Sequence, residues 1–522
     1  MFPNKLHNLA AVFVNSPPKN NKIINPLPND MKRLPLFSAL LCLLFAVPLL
    51  HAQPSPKHEV RAAWITAVYG LDWPRTKATS AAGIRKQQEE LVEILDKLKE
   101  ANFNTVLFQT RTRGDVLYRS AIEPYNSILT GKVGQDPGYD PLAFAVEECH
   151  KRGMECHAWM VTIPLGGRKH VASLGKQSVT RRQPDICLRY KNEYFLNPGH
   201  PKTKEYLMSL VKEVVERYDV DGVHFDYLRY PERALRFPDN YDYRKYGKGR
   251  SLDQWRRDNL TEIVRYIYKG VKQLKPWVKV STCPVGKYRD TSRYPSKGWN
   301  AFHVVYQDVQ GWLGEGIQDQ IYPMMYFRGN SFYPFALDWQ EQSNGRHVVP
   351  GLGVYFLHPS EGDWSLDEIK RQINFVRQNH LAGEAHYRVK FVTDNTQNLY
   401  DALKTDFYTC PALQPPMTWA DSIAPTPPAR LSATQIADGY TRLQWEASAD
   451  NDTRNTPTYV VYASDTCPVD TSNPANIVAT GIRGTEYIYA PILPWTSRLY
   501  FAVTATDRYG NESAPSPTVC KD

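Results

Sequence analysis

No CxxC pair occurs among the eight cysteines of this 522-residue chain, and without that spacing a structural zinc or dithiol centre has little basis. No Gly-rich phosphate fingerprint follows the first predicted strand, where the chain reads Tyr69-Gly70-Leu71-Asp72-Trp73-Pro74. An open dinucleotide-binding sheet is therefore disfavoured. GxSxG is missing too, which weakens an esterase reading. Lysine and arginine form no long run and the formal net charge is only +9, so the footprint of a nucleic-acid binder is lacking.

Only one apolar run approaches the length of a membrane span. Met31-Lys32-Arg33 precedes residues 34–50, 17 residues interrupted by Pro35 and Pro48, and Leu50-His51-Ala52-Gln53 follows. Charged, apolar and small segments in that order form a secretory signal peptide, and the run sits at the lower limit for a span. Residues 31–52 are read as a cleaved leader, with the mature chain beginning near Gln53. Residues 1–30, rich in Asn and Pro, are read as an extension upstream of the true start. Leu41 precedes Cys42, where a lipoprotein signal needs a small residue. The expected location is extracytoplasmic, whether periplasmic, cell-surface or secreted, with no integral span after leader removal. In an oxidising compartment Cys467 and Cys520 are the favoured disulfide pair.

The length implies more than one folding unit, because single cores stop growing near ~250–300 residues. Apolar residues make up 42% and charged residues 22%, a balance that lets burial offset chain entropy. Between residues 59 and 410 short apolar runs alternate with helical patterns, the rhythm of βα units. Strands are predicted at 60–66, 104–110, 155–161, 222–227, 279–284, 319–326, 349–355 and 385–392. Helices are predicted at 81–101, 141–152, 201–218, 252–274, 301–313, 336–344 and 366–378. Eight such repeats fit a (β/α)8 TIM-type barrel with enlarged loops.

Catalytic groups of a parallel barrel lie at the C-terminal ends of its strands. The fourth predicted strand runs Asp221-Gly222-Val223-His224-Phe225-Asp226-Tyr227-Leu228-Arg229-Tyr230-Pro231, and period-two alternation puts His224 and Asp226 on one face. A buried charge is costly unless paired or working. An ion pair of Asp226 with Arg229 or Arg111 therefore competes with catalysis, and catalysis is favoured. Asp221, at the strand's start, reads as a cap or turn residue. The second strand ends Phe108-Gln109-Thr110-Arg111-Thr112-Arg113-Gly114-Asp115, with Gln109, Arg111 and Arg113 on alternate positions. Arginine forks suit carboxylates or acidic sugars, although Arg113 fits structural pairing equally well. The third strand supplies His157 and Trp159. The loop after it supplies Asn197, for which helix capping is a rival role. The sixth offers Tyr322 and Tyr326, flat rings that suit a pyranose.

Glycoside cleavage usually takes two carboxylates ~5 to ~9.5 Å apart. Asp226 is the convincing one. Asp115 is the first choice of partner, followed by Glu384, Asp290 and Asp308, the last placed within a predicted helix and so more structural. The catalytic candidates are thus Asp226, as nucleophile or stabiliser of the oxocarbenium-like state, and Asp115 or Glu384 as acid/base. The substrate-binding candidates are Gln109, Arg111, His157, Trp159, Asn197, His224, Tyr322 and Tyr326, and no metal or cofactor is implied.

Several motifs then combine: Glu59-Val60-Arg61-Ala62-Ala63-Trp64-Ile65-Thr66, Tyr139-Asp140-Pro141-Leu142, Leu196-Asn197-Pro198-Gly199, the fourth-strand run through Arg229-Tyr230-Pro231, and Gln307-Asp308 with Asp319-Gln320-Ile321-Tyr322-Pro323-Met324. In that order they resemble the glycosyl hydrolase-like 10 family of bacterial extracytoplasmic barrels over most of residues 59–410. The resemblance implies a (β/α)8 fold, glycosidase chemistry and, in part of the family, cell-wall glycan stripped of its peptides as substrate. Asp226 matches the family's strand-four acid, whereas Tyr227 stands where many members carry a second Asp, which leaves the working pair open. Residues 411–428 hold six prolines and read as a semi-rigid linker. Residues 429–522 carry short alternating strands. Trp445, Tyr500 and Asp507-Arg508-Tyr509-Gly510-Asn511 make this stretch resemble a fibronectin type III module, expected to be a spacer or weak binder. The expected function is a monomeric glycoside hydrolase acting on a polysaccharide such as denuded peptidoglycan. A glycan-binding barrel without catalysis is the rival, sustained by the single convincing carboxylate.

Overall fold

The computed structural model describes residues 55–232, 234–294, 298–436, 439–490 and 498–520. The expected leader and the segment upstream of it lie outside the described residues. Eight parallel strands close into a barrel: β1 (Val60–Ile65), β2 (Thr105–Arg111), β3 (Glu155–Val161), β4 (Gly222–Asp226), β5 (Lys279–Thr282), β6 (Gln320–Ile321), β7 (His347–Val348 and Gly351–Leu352) and β8 (Gly383–His386). β7 decides the closure. Its first segment pairs with β6 and its second with β8, and Gly351 bridges to Met324 beyond β6. The break at Val349-Pro350 therefore does not open the cylinder. Strands covered on both faces read as continuous apolar runs, and every residue of β1 and β2 is buried.

The helices follow local signals. The Ser80 side chain accepts from the Gly83 N–H to start α1 (Ala81–Glu100). Asp140 accepts from Ala143 to start α2 (Pro141–Lys151), with Pro141 in the first turn. α3 is Lys202–Arg217, and Ser251 caps α4 (Leu252–Leu274) by accepting from Gln254. Each cap satisfies an N–H that the helix cannot. Leu91, Leu95 and Leu98 on α1 recur at helical spacing and are buried. α5 (Val309–Gly314), α6 (Tyr333–Glu341), α7 (Leu366–Gln378) and α8 (Val389–Thr393) complete the layer.

Several boundaries differ from those predicted: the sixth strand keeps only Gln320–Ile321 of 319–326, the seventh runs 347–348 and 351–352 in place of 349–355, and the helix expected over 336–344 is Tyr333–Glu341. The helix expected over 301–313 is broken, and Asp308 is the N-cap of α5, accepting from the Gly311 N–H at 3.2 Å. The eighth strand ends at His386, and the apolar residues Val389, Phe391 and Val392 belong to α8. Short apolar runs do not by themselves separate strand from helix.

Residues 411–428 are tied down along their length. His58 and Leu413 form a parallel bridge, and the buried Met417 donates its N–H to Tyr509 O at 2.7 Å. Beyond them β9 (Ala429–Gln435), β10 (Thr441–Glu446), β11 (Thr458–Ser464), β12 (Ile477–Ile482), β13 (Glu486–Tyr489), β14 (Tyr500–Thr506) and β15 (Val519–Cys520) form an antiparallel sandwich. One sheet is ordered β9-β10-β13 and the other β12-β11-β14-β15. The core between them holds Leu443, Trp445, Tyr459, Val461, Phe501 and Val503. The sandwich docks at the N-terminal end of the barrel strands, where Arg508 meets Asp219 at 2.8 Å and Asp221 at 3.1 Å. Asp221 also accepts the Cys156 N–H at 2.8 Å, so it serves the stability face. The expected Cys467–Cys520 disulfide does not form. The two sulfurs are not bonded to each other, and the Cys520 sulfur accepts from Arg498 Nε at 2.6 Å. No helix among the described residues is long and apolar enough to cross a membrane.

Candidate active site

Alternation turns every second side chain into the barrel, and strand register stacks these in levels. His157 pairs with Gly222, Trp159 with His224 and Val161 with Asp226, from the N-terminal end upward. Gly222 leaves the lowest level to His157, because a Cβ there would come within 2.7 Å of the imidazole. The middle level is a solid floor. Trp64 Nε1 donates to His224 Nε2 at 3.2 Å, and Nδ1 lies 2.9 Å from Ser281 Oγ. Indole can only donate, so the proton of the neutral imidazole sits on Nδ1. Burial, reinforced by His157, holds His224 well below its usual range. The Tyr322 ring packs edge-on to it at 5.0 Å, and the Tyr322 hydroxyl donates to Gln320 Oε1 at 3.0 Å.

Asp226 tops this floor at the C-terminal rim, 6% exposed. Trp159 Nε1 donates to its Oδ2 at 3.3 Å and the Tyr227 N–H to its Oδ1 at 2.7 Å. The second contact depends on Tyr227 adopting a left-handed φ of 52°, a conformation that costs a non-glycine residue roughly 1–3 kcal/mol and clusters at functional sites. Burial raises the Asp226 pKa, opposed by a hydrogen bond with the Cys283 thiol, the charge of Arg229 and the Tyr227 and Trp159 N–H groups. Asp226 forms no ion pair among the described residues, so the structural pairing weighed for it with Arg229 or Arg111 is not present. Beside it the half-buried Tyr326 and Tyr387 stack at 5.3 Å with 23° between planes, and Tyr355 meets both edge-on.

Of the eleven residues expected from sequence, the structure gathers Asp226, Trp159 and Tyr326 at this rim. Gln109 is close by in a supporting role, its Oε1 accepting from the Ala67 and Val68 N–H groups at 2.9 and 2.8 Å to hold the loop after β1. His224 and Tyr322 form the floor beneath, and their full burial denies them contact with a sugar. His157 lies lower still, its Nε2 2.9 Å from Glu155.

Three further assignments are corrected outright. Arg111 points away from the barrel axis, because a register shift after Gln109 inserts Thr110 as a bulge and reverses the alternation. It makes a two-pronged pair with Glu123, both bonds 2.7 Å, and donates to Val161 O and Thr162 O. Asp115 is consumed by its own loop, accepting from Thr112 Oγ1, Arg113 N and Asn126 Nδ2. Asn197 braces the turn into α3, donating to Asp242 Oδ2 at 2.7 Å and accepting from Gly199 N at 3.0 Å.

Glu384 is the fourth correction. It faces outward at the start of β8, beside Arg61 in register, and accepts from Tyr408 Oη at 2.5 Å. Burial, then the neighbouring Glu59, pushes its carboxyl up to about 8, against Arg377, Tyr408 and Arg61. A folded pKa raised from 4.5 to about 8 means the native state holds the proton that the unfolded chain releases. Stability then falls as pH rises through that window. Glu384→Gln, which mimics the neutral acid, is expected to match wild type near pH 4. Above that its advantage should grow by roughly 1.4 kcal/mol per pH unit, up to about pH 8. Urea melts at several pH values check this, and a constant difference between the two proteins would refute it.

Cys283, Arg229 and Tyr387 belong to the rim but were not among the eleven. Period-two counting from Ser281 and Ala385 reaches Cys283 and Tyr387, but only by extending each strand past its last bonded pair. A cleft of about 480 Å³ lies at the opposite end of the barrel, lined by His58, Glu59, Arg346, His347 and Arg377, and shares no residue with the rim.

The sequence profile described as Glycosyl hydrolase-like 10 matches residues 59–356, the span from β1 to the loop after β7 that carries Trp159, Asp226 and Tyr326. This chain belongs to the glycosyl hydrolase-like 10 family. It is a glycoside hydrolase by that membership. It is similar to "Glycosyl hydrolase YngK" of Bacillus subtilis, 31% identical over 500 residues, spanning 92% of this chain and 96% of that protein. "Glycosyl hydrolase DigH" of Escherichia coli K12 is 33% identical over 347 residues, 60% of this chain and 79% of that one. Among solved structures, the PgaB (BpsB) glycoside hydrolase domain from Bordetella bronchiseptica aligns at TM-score 0.43 and 13% identity, over 67% of this chain and 99% of that one.

Proposed function

We propose that this glycoside hydrolase cleaves an amino-sugar polysaccharide outside the cytoplasm, with Asp226 delivering the proton to the departing glycosidic oxygen. The observation that carries this reading is one carboxyl, buried at the barrel rim without an ion pair and held toward its protonated form. A general acid must be protonated at the operating pH, and burial is how a carboxyl achieves it. The hydrogen bonds from Trp159 and the Tyr227 backbone aim the group, their pull toward the charged form being outweighed by burial, and the Tyr326–Tyr387 stack offers apolar ring faces to a pyranose. Asp226 thereby takes the acid role expected from sequence of Asp115 or Glu384, which are bonded to Thr112 and Asn126 and to Tyr408 respectively. The predicted leader supports export, and the family resemblance supports peptidoglycan glycan stripped of its stem peptides as substrate.

Reducing-end release from amidase-stripped peptidoglycan, intact peptidoglycan and cellulose tests the reading. Release is expected from the stripped glycan and not from cellulose. No release from any amino-sugar polymer would overturn it.

A further inference from the structure

Arg229 stands apart from the other buried arginines. Arg61, Arg111 and Arg256 each grip a carboxylate, those of Glu59, Glu123 and Asp239, at 2.7 Å. Arg229 is only 9% exposed and forms no ion pair or hydrogen bond with any described residue, and its Nε is fully enclosed without a partner. Burying an unpaired guanidinium is costly. Two rings hold it in place: Tyr227 at 4.6 Å and Trp299 at 5.5 Å from the guanidinium carbon. Aromatic faces stabilise the charge but leave the N–H edge of the fork unused. Arg229 lies three residues beyond Asp226, close enough for its charge to act on Asp226, Tyr227 and Cys283. The other charges acting on Tyr227 are Asp226, Arg113 and Glu232. None of them is bonded to the guanidinium.

We propose that Arg229 is a subsite for a carboxylate carried by the glycan, so that the enzyme selects saccharides bearing a free acid beside the bond it cuts. The inference rests on the glycosidase reading and narrows its substrate. A planar fork clamped between rings presents two parallel donors, the geometry a carboxylate takes. A sugar with an O-lactyl substituent offers that carboxylate once its peptide is removed. With the peptide attached the same carbon is a neutral amide that pairs poorly with a cation. Arg229 thereby reads the stripped state of the strand directly.

Soluble amidase-released glycan fragments and the same fragments amidated with methylamine and carbodiimide separate the possibilities. Calorimetric binding and hydrolysis are both measured on the full chain. Wild type is expected to bind the acid form about 10–100-fold tighter, the worth of one charged hydrogen-bonded pair, with the preference shrinking as salt is added. Arg229→Gln should bring the two forms within about twofold by weakening only the acid form, and Arg229→Lys should keep part of the preference. An unchanged thermal melt in both variants confirms that they fold. Equal affinity of wild type for the two forms, equal weakening of both by Arg229→Gln, or binding of neither overturns the subsite. Preference for the acid form without hydrolysis would instead overturn the role of Asp226 and leave the subsite standing.

Discussion

Asp226→Asn is expected to lower kcat on the stripped glycan by about 10²–10⁴-fold, the usual worth of a general acid, while leaving glycan affinity nearly unchanged. The amide keeps the shape of the acid but has no proton to deliver, and its single oxygen can replace only one of the two acceptors that Trp159 and the Tyr227 N–H use. The pH dependence carries a second signature. Burial raises the Asp226 pKa, so the protonated form persists above the ~3.9 of a free aspartate. Activity should fall as pH climbs through the raised value, and the residual activity of the variant should lack that basic limb. A carboxyl with a raised folded pKa contributes most to stability below its unfolded value and loses that contribution as pH rises. The Asn variant should therefore melt no lower than wild type at pH 7. Retention of more than about a tenth of kcat would remove Asp226 from the centre of the chemistry. The measurement is initial rate of reducing-end release against pH for both proteins.

Glu123→Ala should unfold the barrel more readily by about 3–5 kcal/mol, because it strands the Arg111 charge inside the protein. Arg111 and Glu123 are both almost wholly buried, and Tyr206 Oη on α3 donates to Glu123 at 2.6 Å, so the change also leaves a buried hydroxyl without its acceptor. Replacing the pair by apolar residues, Arg111→Met with Glu123→Leu, should recover a large part of the loss, since a buried pair gains little over well-packed hydrophobic side chains. Equilibrium urea unfolding of the single and double variants decides it. A cost under about 1 kcal/mol for Glu123→Ala would mean that the pair is hydrated in solution and resembles a surface bridge. Specific activity of the folded fraction should stay near wild type, because Arg111 faces the helices and not the rim.

How much of this could be read in advance depends on how local the signal was. The helix starts at 81, 141 and 252 were legible from local apolar patterns, and Ser80, Asp140 and Ser251 fix them by satisfying N–H groups within their own first turn. The barrel strands were legible because they are short, largely apolar runs set between helical patterns. Asp226 and Trp159 could be placed because each follows an unbroken alternation along its own strand. Arg111 failed that same rule, since one bulge at Thr110 exchanges inside for outside for everything beyond it. Asp115 and Asn197 carry the right chemistry in loops after strands, but their donors come from the folded loops themselves.

The sequence by itself thus determined the barrel, the starts of its longer helices and the strand-end acid, all of which depend on neighbours a few residues away. Only the tertiary structure decided which polar groups are spent and which are free. Arg111 and Glu384 meet Glu123 and Tyr408 from other elements and are occupied. Among the described residues Arg229 meets the rings of Tyr227 and Trp299 and no ion-pair or hydrogen-bond partner. The physical reason is that a buried charge takes its pKa and its role from groups brought to it across the fold, and residue order does not encode those distances.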